Sequence, residues 1–198
     1  MRKYEFTGET KVFLNKTLHR IRAVVDFGTV HAGDVGGWIE KEENLNHCGD
    51  AWIYGDAKVY GDAKVYGDAK VYGNAKVYGD ACVYGDAKVY GNACVYGDAW
   101  VGGNAEVYGN AKVGGDAKVY GGKWEKSPCF IQGTRWSINI SSPNTVRCGC
   151  QDHTWQKWHY SYAAISRLHN ADDVLEEYIR YFNLLCDMYG HEDCKISR

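Results

Sequence analysis

The sequence predicts a mostly β protein whose repeated middle part is a solenoid of very short, stacked parallel strands. From Ala51 to Gly121 the chain repeats Tyr-Gly-Asp/Asn-Ala-Lys-Val at a period of six residues, without insertion or deletion. In each repeat an aliphatic residue follows an alanine by two positions, which puts both on the same side of an extended segment. The glycine and the Asp or Asn that follow tolerate positive φ and favour a bend. Each hexapeptide is therefore a short strand followed by a corner.

The segment before the repeats, residues 1–34, is predicted to be an N-terminal β cap. Apolar residues alternate with arginines from His19 to Val25, and this period of two is typical of a half-buried strand. The solenoid itself is assigned to residues 35–122, with an irregular start. A strand of three or four residues cannot bury its valine and alanine alone, so the coils must stack and their ends need caps.

The last segment, residues 123–198, is predicted to be a small α+β appendage. A hairpin is expected over residues 130–150, with its turn at Pro143-Asn144. A helix is expected after Asn170, which is the predicted N-cap, and Gly190 is predicted to end it. A shorter helix is expected over residues 154–168. The appendage either caps the last coil or binds a partner or a second copy of the chain.

Composition argues against several function classes. The net charge is −2, so we expect no strong attraction to nucleic acid or to acidic membranes. The start of the chain has no apolar signal-peptide core, and no apolar run approaches the roughly 18–20 residues of a membrane span. The eight cysteines are therefore interpreted as reduced thiols, and we expect a cytoplasmic protein.

Three blocks of the sequence resemble a known family. These are Arg20-Ile-Arg-Ala-Val-Val-Asp-Phe-Gly, the Gly33–Leu45 segment with Gly-Gly-Trp-Ile-Glu, and Gly49-Asp-Ala-Trp-Ile. Together with the hexapeptides they resemble the hexapeptide-repeat superfamily, and within it hypothetical phage and enterobacterial proteins of the YdcK-like group. The resemblance covers roughly residues 18–122, and the block from Cys148 to Trp158 also resembles the tails of phage-encoded repeat proteins. It implies a left-handed parallel β-helix, a triangular prism of about five 18-residue coils.

The implied coil length fixes which residues share a face. One face carries Tyr54, Tyr72, Tyr90 and Tyr108, a second carries Tyr60, Tyr78 and Tyr96, and a third carries Tyr66, Tyr84 and Tyr120. Counting back from Ile53 by one coil starts the first coil at Val35. This count puts Ile39 and Leu45 at the small inward position and His47 in an aliphatic position.

Lysines beside the tyrosines at first suggest a platform for single-stranded nucleic acid. The repeat from Trp52 to Asp116 contains six lysines against seven aspartates and one glutamate, so it lacks the basic footprint of a nucleic-acid binder. We expect the tyrosines to stack on one another under the lysine stems.

Departures from the repeat are the candidate binding positions. Trp100 and Gly102 stand where lysine and tyrosine normally stand, one coil after Cys82. Exposed tryptophan is enriched at interfaces, so the break is either an indentation for a partner or a repacked stretch of surface. The other binding candidates are Trp52, in the first hexapeptide, and Trp155 and Trp158, in the C-terminal segment.

Candidates for chemistry are few. The superfamily's acyltransferases use a histidine as general base, yet residues 48–122 contain none. His31 and His47 at the irregular start are the remaining candidates for a catalytic base. Cys148, Cys150 and His153 have zinc-compatible ligand types but no fourth ligand at a diagnostic spacing. No cofactor is predicted.

Two hypotheses follow. The first is a non-enzymatic binding, inhibitory or scaffold protein, phage-encoded and acting on a host protein or a nucleotide signal in counter-defence. The second is a divergent hexapeptide-repeat acyltransferase. A homo-oligomer is expected, because aromatic faces and an amphipathic helix favour self-association; the family resemblance implies a trimer, and a dimer through the C-terminal segment is the alternative.

Overall fold

A computed structural model describes residues 2–197. The chain forms two compact units, one that ends at Pro128 and one that begins at Cys129. The first contains the N-terminal strands and the repeats, and the second contains both long helices.

The first unit begins with an antiparallel hairpin, as the alternating sequence predicts. Strand β1 (Tyr4–Phe13) pairs with β2 (Lys16–Ala23), and β2 pairs with β3 (Val35–Ile39). The turn uses Leu14 and Asn15, with φ values of 50° and 61°. Strand β3 then runs parallel to the strands of the solenoid.

The solenoid is built from two-residue strands, each containing the aliphatic residue of its repeat. The strands are β4 (Trp52–Ile53), β5 (Lys58–Val59), β6 (Lys64–Val65), β7 (Lys70–Val71), β8 (Lys76–Val77), β9 (Cys82–Val83), β10 (Lys88–Val89), β11 (Cys94–Val95), β12 (Trp100–Val101), β13 (Glu106–Val107), β14 (Lys112–Val113), β15 (Lys118–Val119) and β16 (Lys123–Trp124).

Each strand pairs in parallel with the strand three positions later, which makes three sheets and confirms the predicted faces. The sheets are β4-β7-β10-β13-β16, β6-β9-β12-β15 and β5-β8-β11-β14, and the last is continued by β3, β2 and β1. Among the described residues this gives about five coils. Backbone N–H groups of one coil donate to carbonyls of the next, for example Lys70 to Ala87 and Tyr72 to Val89, both at 2.9 Å.

The solenoid core is fully packed. The repeated valines and alanines have exposed fractions of 0–2%. Apolar burial of this kind is the main favourable contribution to folding. Because each coil also needs its neighbour's backbone groups, the first coil requires a cap.

The first coil is two residues longer than predicted. Ile39 pairs with Val59 and Leu45 with Val65, so both occupy valine positions, and their predicted place at the small inward position is wrong. A 3₁₀ turn at Glu42–Asn44 replaces a regular corner. At Gly37 an added Cβ would lie 2.4 Å from Ile53 Cγ2, so only glycine fits where later coils have alanine.

Two buried polar side chains complete this cap. The Asn44 amide donates to the carbonyls of Gly61 (3.0 Å) and Ala63 (2.8 Å). The Lys3 ammonium donates to the carbonyls of Gly49 (3.0 Å) and Ala51 (2.8 Å). The carbonyls of Gly49 and Ala51 have no preceding coil to pair with, and those of Gly61 and Ala63 lie where the backbone N–H groups of Asn44 and Leu45 are used within the 3₁₀ turn. Unpaired buried carbonyls are costly.

The second unit is an antiparallel sheet packed with two helices. The sheet order is β17 (Phe130–Gln132), β18 (Ser137–Ser142), β19 (Thr145–Cys148) and β20 (Gln151–Thr154). The predicted hairpin around Pro143-Asn144 is confirmed as β18 and β19. Strand β17 lies within the residues predicted for the hairpin but forms a separate strand, and β20 was not predicted.

Helix α1 (Trp155–Leu168) matches the predicted shorter helix, and Thr154 caps it by accepting from the Lys157 N–H. Helix α2 (Leu175–Tyr189) ends at Gly190 as predicted, with φ of 75°. The predicted N-cap is wrong: α2 starts after Val174, and Asn170 lies in the linker with φ of 49°. Its carbonyl instead accepts from Arg135. Neither helix combines the length and apolar character needed to cross a membrane within residues 2–197.

Candidate functional site

The two histidines considered as general bases lie in different surroundings. The His31 side chain is 78% exposed, and its Nδ1 lies 3.9 Å from an Asp26 carboxylate oxygen. Its backbone N–H donates to Asp34. It lines neither of the two pockets described below, so neither of them would orient a substrate at this ring.

His47 is half-buried and held in place by two contacts. Its ring stacks on Tyr4 with centroids 4.3 Å apart, so it does not occupy the aliphatic position that the repeat count predicts. Its Nδ1 accepts from the Lys3 backbone N–H at 3.3 Å. Burial is the largest cause of the lowered pKa of His47, so the neutral ring is favoured.

The hydrogen bond to Lys3 determines which nitrogen carries the proton. A backbone N–H can only donate, so Nδ1 supplies its lone pair and the neutral ring is protonated at Nε2. Nε2 is buried and has no partner among the described residues. A base at Nε2 would need a free lone pair there, so this arrangement opposes proton abstraction by His47.

A groove of about 350 Å³ lies beside His47. It is lined by Glu42, Glu43, Leu45, Asn46, His47, Lys64, Val65 and Tyr66. It is the feature of the first unit that most resembles a substrate site.

The tyrosines of the three faces stack in columns, as the sequence predicts. Tyr60 and Tyr78 stack with centroids 5.1 Å apart, and Tyr72 and Tyr90 at 4.7 Å. Burial raises the pKa of Tyr60 to about 12. The columns are thus part of the packed structure.

At the break in the third face, the surface is repacked. The Tyr84 ring lies over Gly102, where an added Cβ would come within 2.5 Å of it. Trp100 meets Tyr84 edge-on at 5.9 Å and remains 38% exposed. Lys118 lies over the Trp100 ring at 5.0 Å, and Cys82 pairs with Trp100 across the sheet. The break therefore contains an exposed indole and no indentation at Gly102.

Trp52 is not a surface residue. It is 1% exposed and lies against Tyr4 and Phe27 at centroid distances of 6.2 and 5.4 Å. The N-terminal segment covers the outer side of the first face at this point. The expectation that Trp52 contributes to a binding surface is therefore wrong.

The structure does not bring Cys148, Cys150 and His153 together as metal ligands. In residues 2–197 no group of three or more His, Cys, Asp and Glu side chains is placed to hold a metal ion. His153 Nε2 instead lies 3.1 Å from Gln151 Oε1, and its ring meets Trp158 edge-on.

The second unit contains an apolar cavity of about 110 Å³ between its sheet and its helices. The lining residues are Trp136, Ile138, Cys148, Gly149, Cys150, Gln151, Trp158, Tyr162, Ile165, Ser166, His169, Ala171, Leu175, Tyr178, Ile179, Phe182 and Ile196. Aromatic and aliphatic side chains with a few polar groups are typical of small-molecule sites.

Most polar groups around the cavity already have partners. Trp158 Nε1 donates to the Val146 carbonyl (2.7 Å), and Ser166 Oγ donates to Asp172 (2.8 Å). The Tyr178 hydroxyl donates to the Trp136 carbonyl at 2.7 Å. His169 differs, because its Nε2 is buried without a partner among the described residues.

The cavity thiol is not poised to react. Burial raises the pKa of Cys148 to about 12, so the thiol stays protonated at neutral pH and is a poor nucleophile. Trp155 is 1% exposed and stacks on His191 at 4.2 Å, so this binding candidate belongs to the core. Trp158 does line the cavity, but the cavity as a whole is not evident from sequence, since its lining comes from many elements at irregular spacings.

Comparisons with known proteins agree with the repeat. A family model described as the YdcK β-solenoid repeat matches residues 87–103. A 62-residue segment is 40% identical to the "Uncharacterized acetyltransferase YdcK" of Escherichia coli (strain K12). The aligned part covers 27% of this chain and 19% of that relative. With the observed solenoid, these matches support the resemblance to hexapeptide-repeat, YdcK-like proteins.

Proposed function

We propose that this protein is a non-enzymatic binding protein, with the solenoid as a rigid scaffold and the C-terminal unit as the ligand-binding part. The cavity of about 110 Å³ in the second unit carries this proposal. It is a partly open apolar pocket with few polar groups, and such pockets are the default candidates for binding sites. The Cys148 thiol is protonated and most polar groups around the cavity are already paired. Both observations favour ligand binding over catalysis.

The cavity favours a small neutral ligand. Its lining, all within the described residues, includes no lysine, arginine, aspartate or glutamate. A nucleotide would bring phosphates that need cationic partners, so a nucleotide signal fits this cavity poorly. A counter-defence role for a phage-encoded protein would then consist of sequestering a small neutral molecule.

Blocking a host protein is the other mode of binding that the sequence suggests. Trp100 is the solenoid's candidate for it, because it is 38% exposed where the tyrosine column is interrupted. We also propose that the chain forms a homo-oligomer. Native mass spectrometry of the full chain tests this.

Benzene tests the binding function, because it probes apolar volume alone. Titration of the full chain, followed by NMR of the tryptophan indoles, should shift Trp136 and Trp158. The matched control is Ala171→Val, which places two more methyl carbons against the cavity and should weaken benzene binding at least about fivefold. Absence of binding by any small apolar probe would overturn the proposal.

A divergent acyltransferase is the second candidate function. The groove beside His47 favours it, as does the name of the Escherichia coli relative, an uncharacterized acetyltransferase. The bound lone pair of His47 Nδ1 opposes it. Acetyl transfer from acetyl-coenzyme A, measured for the full chain and for His47→Gln with His31→Gln as control, decides between the two functions: activity lost only in His47→Gln would favour the enzyme.

A further inference from the structure

We propose that the second face of the solenoid binds an acidic, extended peptide segment of a partner protein. The binding surface is the lysine stripe, which we define as Lys11, Arg20, Lys58, Lys76 and Lys112. It shares no residue with the cavity of the C-terminal unit, so this inference goes beyond the binding function proposed above. It follows from the way charge is distributed over the outside of the solenoid.

The solenoid part of the stripe is a straight row across neighbouring strands. Lys58 pairs with Lys76, Lys76 with Cys94, and Cys94 with Lys112. Parallel strands lie about 4.8 Å apart, so the row from Lys58 to Lys112 is about 14 Å long. Among the described residues, none of the three lysines forms an ion pair.

The N-terminal hairpin adds two cations at the start of this row. The Lys11 ammonium lies 3.7 Å from the centroid of the Trp38 ring, and Trp38 pairs with Lys58. The Arg20 guanidinium lies 4.9 Å from the same centroid. Asp56 lies 3.9 Å from Lys11 Nζ and 3.7 Å from Arg20 Nη1, so one carboxylate serves both. Burial and then the charge of Lys58 lower the pKa of Lys11, which is the effect of neighbouring like charges.

The corner of the solenoid beside the stripe differs from the corner beside the third face. At the inner coils it consists of amides: Asn74, Asn92 and Asn110. The equivalent corner beside the third face consists of aspartates: Asp62, Asp80, Asp98 and Asp116. Both Asp and Asn suit such a bend, so the bend does not require the amides. Their effect is electrostatic, because they leave the lysines of the stripe without the neutralising charge present at the third face.

A few carboxylates remain near the stripe. Asp56 lies at the first bend of the amide corner, Glu125 packs beside the last one, and Glu9 acts on the hairpin end. Across the face, Asp80 is four residues from Lys76, about 13 Å along an extended chain. This distance exceeds the Debye length of about 8 Å at physiological ionic strength. The cations of the stripe therefore outnumber the carboxylates within reach.

The chemistry of the stripe favours the carboxylates of an extended peptide. Phosphate groups are typically bound by bidentate arginines or by convergent backbone N–H groups. The stripe instead offers mostly lysine ammonium groups, which are point charges on flexible stems. An extended peptide places alternate side chains about 6.7 Å apart, and the lysine stems are long enough to follow this spacing. About five such residues cover the row from Lys58 to Lys112.

The same face is poorly suited to nucleic acid. Proteins that bind single strands stack the bases on aromatic rings. Here Tyr60, Tyr78 and Tyr96 stack on one another at centroid distances of 5.1 and 5.4 Å, and Phe13 meets Tyr60 edge-on. The rings thus already pack within the fold. The aspartate corner on the far side of the face would repel a wide polyanion.

Fluorescence anisotropy of a labelled octaglutamate peptide tests the inference on the full chain. We expect binding at low ionic strength that weakens in about 0.5 M salt, since salt screens exposed charges. The variant with Lys76→Gln and Lys112→Gln should bind at least about fivefold more weakly, because it removes two exposed ion pairs. The matched control, Lys64→Gln with Lys70→Gln, removes the same net charge from the other two faces and should change the affinity less than about twofold.

A second variant tests the amide corner and keeps every lysine. Asn74→Asp, Asn92→Asp and Asn110→Asp together give this corner the charge of the aspartate corner. The solenoid should still fold, because aspartate occupies the equivalent bends beside the third face. Octaglutamate binding should weaken at least about fivefold.

Three outcomes would overturn the inference. Equal weakening in the two lysine variants would show that affinity follows net charge and not the stripe. Tighter binding of oligothymidine than of octaglutamate would assign the face to nucleic acid. Absence of octaglutamate binding at low ionic strength would exclude an acidic peptide, and would leave benzene binding in the cavity as a separate question.

Discussion

The solenoid and the C-terminal unit bury their apolar residues in different ways. In the solenoid, valines and alanines at fixed spacing fill the interior, and their exposed fractions are 0–2%. In the C-terminal unit, the interior is formed by residues of four strands and two helices of varied size, and a cavity of about 110 Å³ remains. Strict repetition gives close packing in the solenoid interior and leaves no room for a ligand there, whereas irregular packing leaves a partly open pocket.

The largest loss of stability is expected when the cap of the solenoid is disrupted. Asn44→Ala removes two bonds donated to Gly61 and Ala63 and two accepted from the N–H groups of Glu40 and Lys41. We expect the free energy of unfolding of the solenoid to fall by about 3–5 kcal/mol. Hydrogen exchange measured by mass spectrometry should accelerate in peptides of the first coils.

The control for this prediction is Asn46→Ala. Asn46 is exposed, and its side chain accepts a bond from Cys48 N–H, so a loss of less than about 1 kcal/mol is expected. Equal effects of the two variants would contradict the capping role. Peptides from residues 129–197 should exchange as in the unaltered chain in both variants.

The next largest effect is the loss of stability at alkaline pH through the buried tyrosines of the columns. Tyr60 is 5% exposed and burial raises its pKa to about 12, while an unfolded tyrosine has its usual value of about 10. Its stabilising contribution is complete below about pH 10 and is lost as pH rises toward about 12, because the unfolded chain releases the proton first.

Comparing the full chain with Tyr60→Phe isolates this contribution. Urea unfolding at pH 8 and near pH 12 should show that the variant loses about 2–3 kcal/mol less than the unaltered chain over this interval. The same pH dependence in both proteins would show that Tyr60 is not responsible.

A smaller change in stability should distinguish the closely packed solenoid interior from the cavity of the C-terminal unit. Ala87 lies in the solenoid interior at 0% exposure, and Ala171 lines the cavity at 6%. We expect Ala87→Val to cost about 1–3 kcal/mol through overpacking. Ala171→Val should be neutral or stabilise by up to about 1 kcal/mol, because it fills empty space. Urea unfolding followed unit by unit measures both, and equal costs would show that the cavity lacks usable space.

The smallest effect is expected at the break in the third face. Trp100→Lys restores the residue typical of the repeat, and Trp100 is 38% exposed with contacts limited to a few neighbours. The free energy of unfolding should change by less than about 0.5 kcal/mol. A loss above about 2 kcal/mol, measured by urea unfolding, would mean that this indole serves the fold and not a partner.

The sequence was most informative where it repeats. The period of six and the implied coil of 18 correctly predicted the three faces, because each strand pairs with the strand three positions later. The same count was wrong for Ile39 and Leu45, because the chain takes eight residues from Leu45 to Ile53 where later repeats take six, which lengthens the first coil by two residues. Trp52 was predicted to be a binding residue at the surface. The repeat does not encode its burial, which depends on a long-range contact with Phe27.

The candidate site was beyond what the sequence predicted. His169 and Ser166 come from the end of one helix, Ile138 and Cys148 from neighbouring strands, and Phe182 from the other helix. No short-range spacing links these residues. The sequence singled out Trp158 as a binding candidate and Cys148 as a possible metal ligand, and the three-dimensional packing shows that both line the cavity.

The most direct test of the claim that ligand recognition lies in the C-terminal unit is hydrogen exchange of the full chain with and without saturating benzene. We predict slower exchange in peptides covering Trp155–Leu168 and Leu175–Tyr189, with no change across residues 51–121. Protection confined to the solenoid or to the groove beside His47, with none in the two helices, would contradict it.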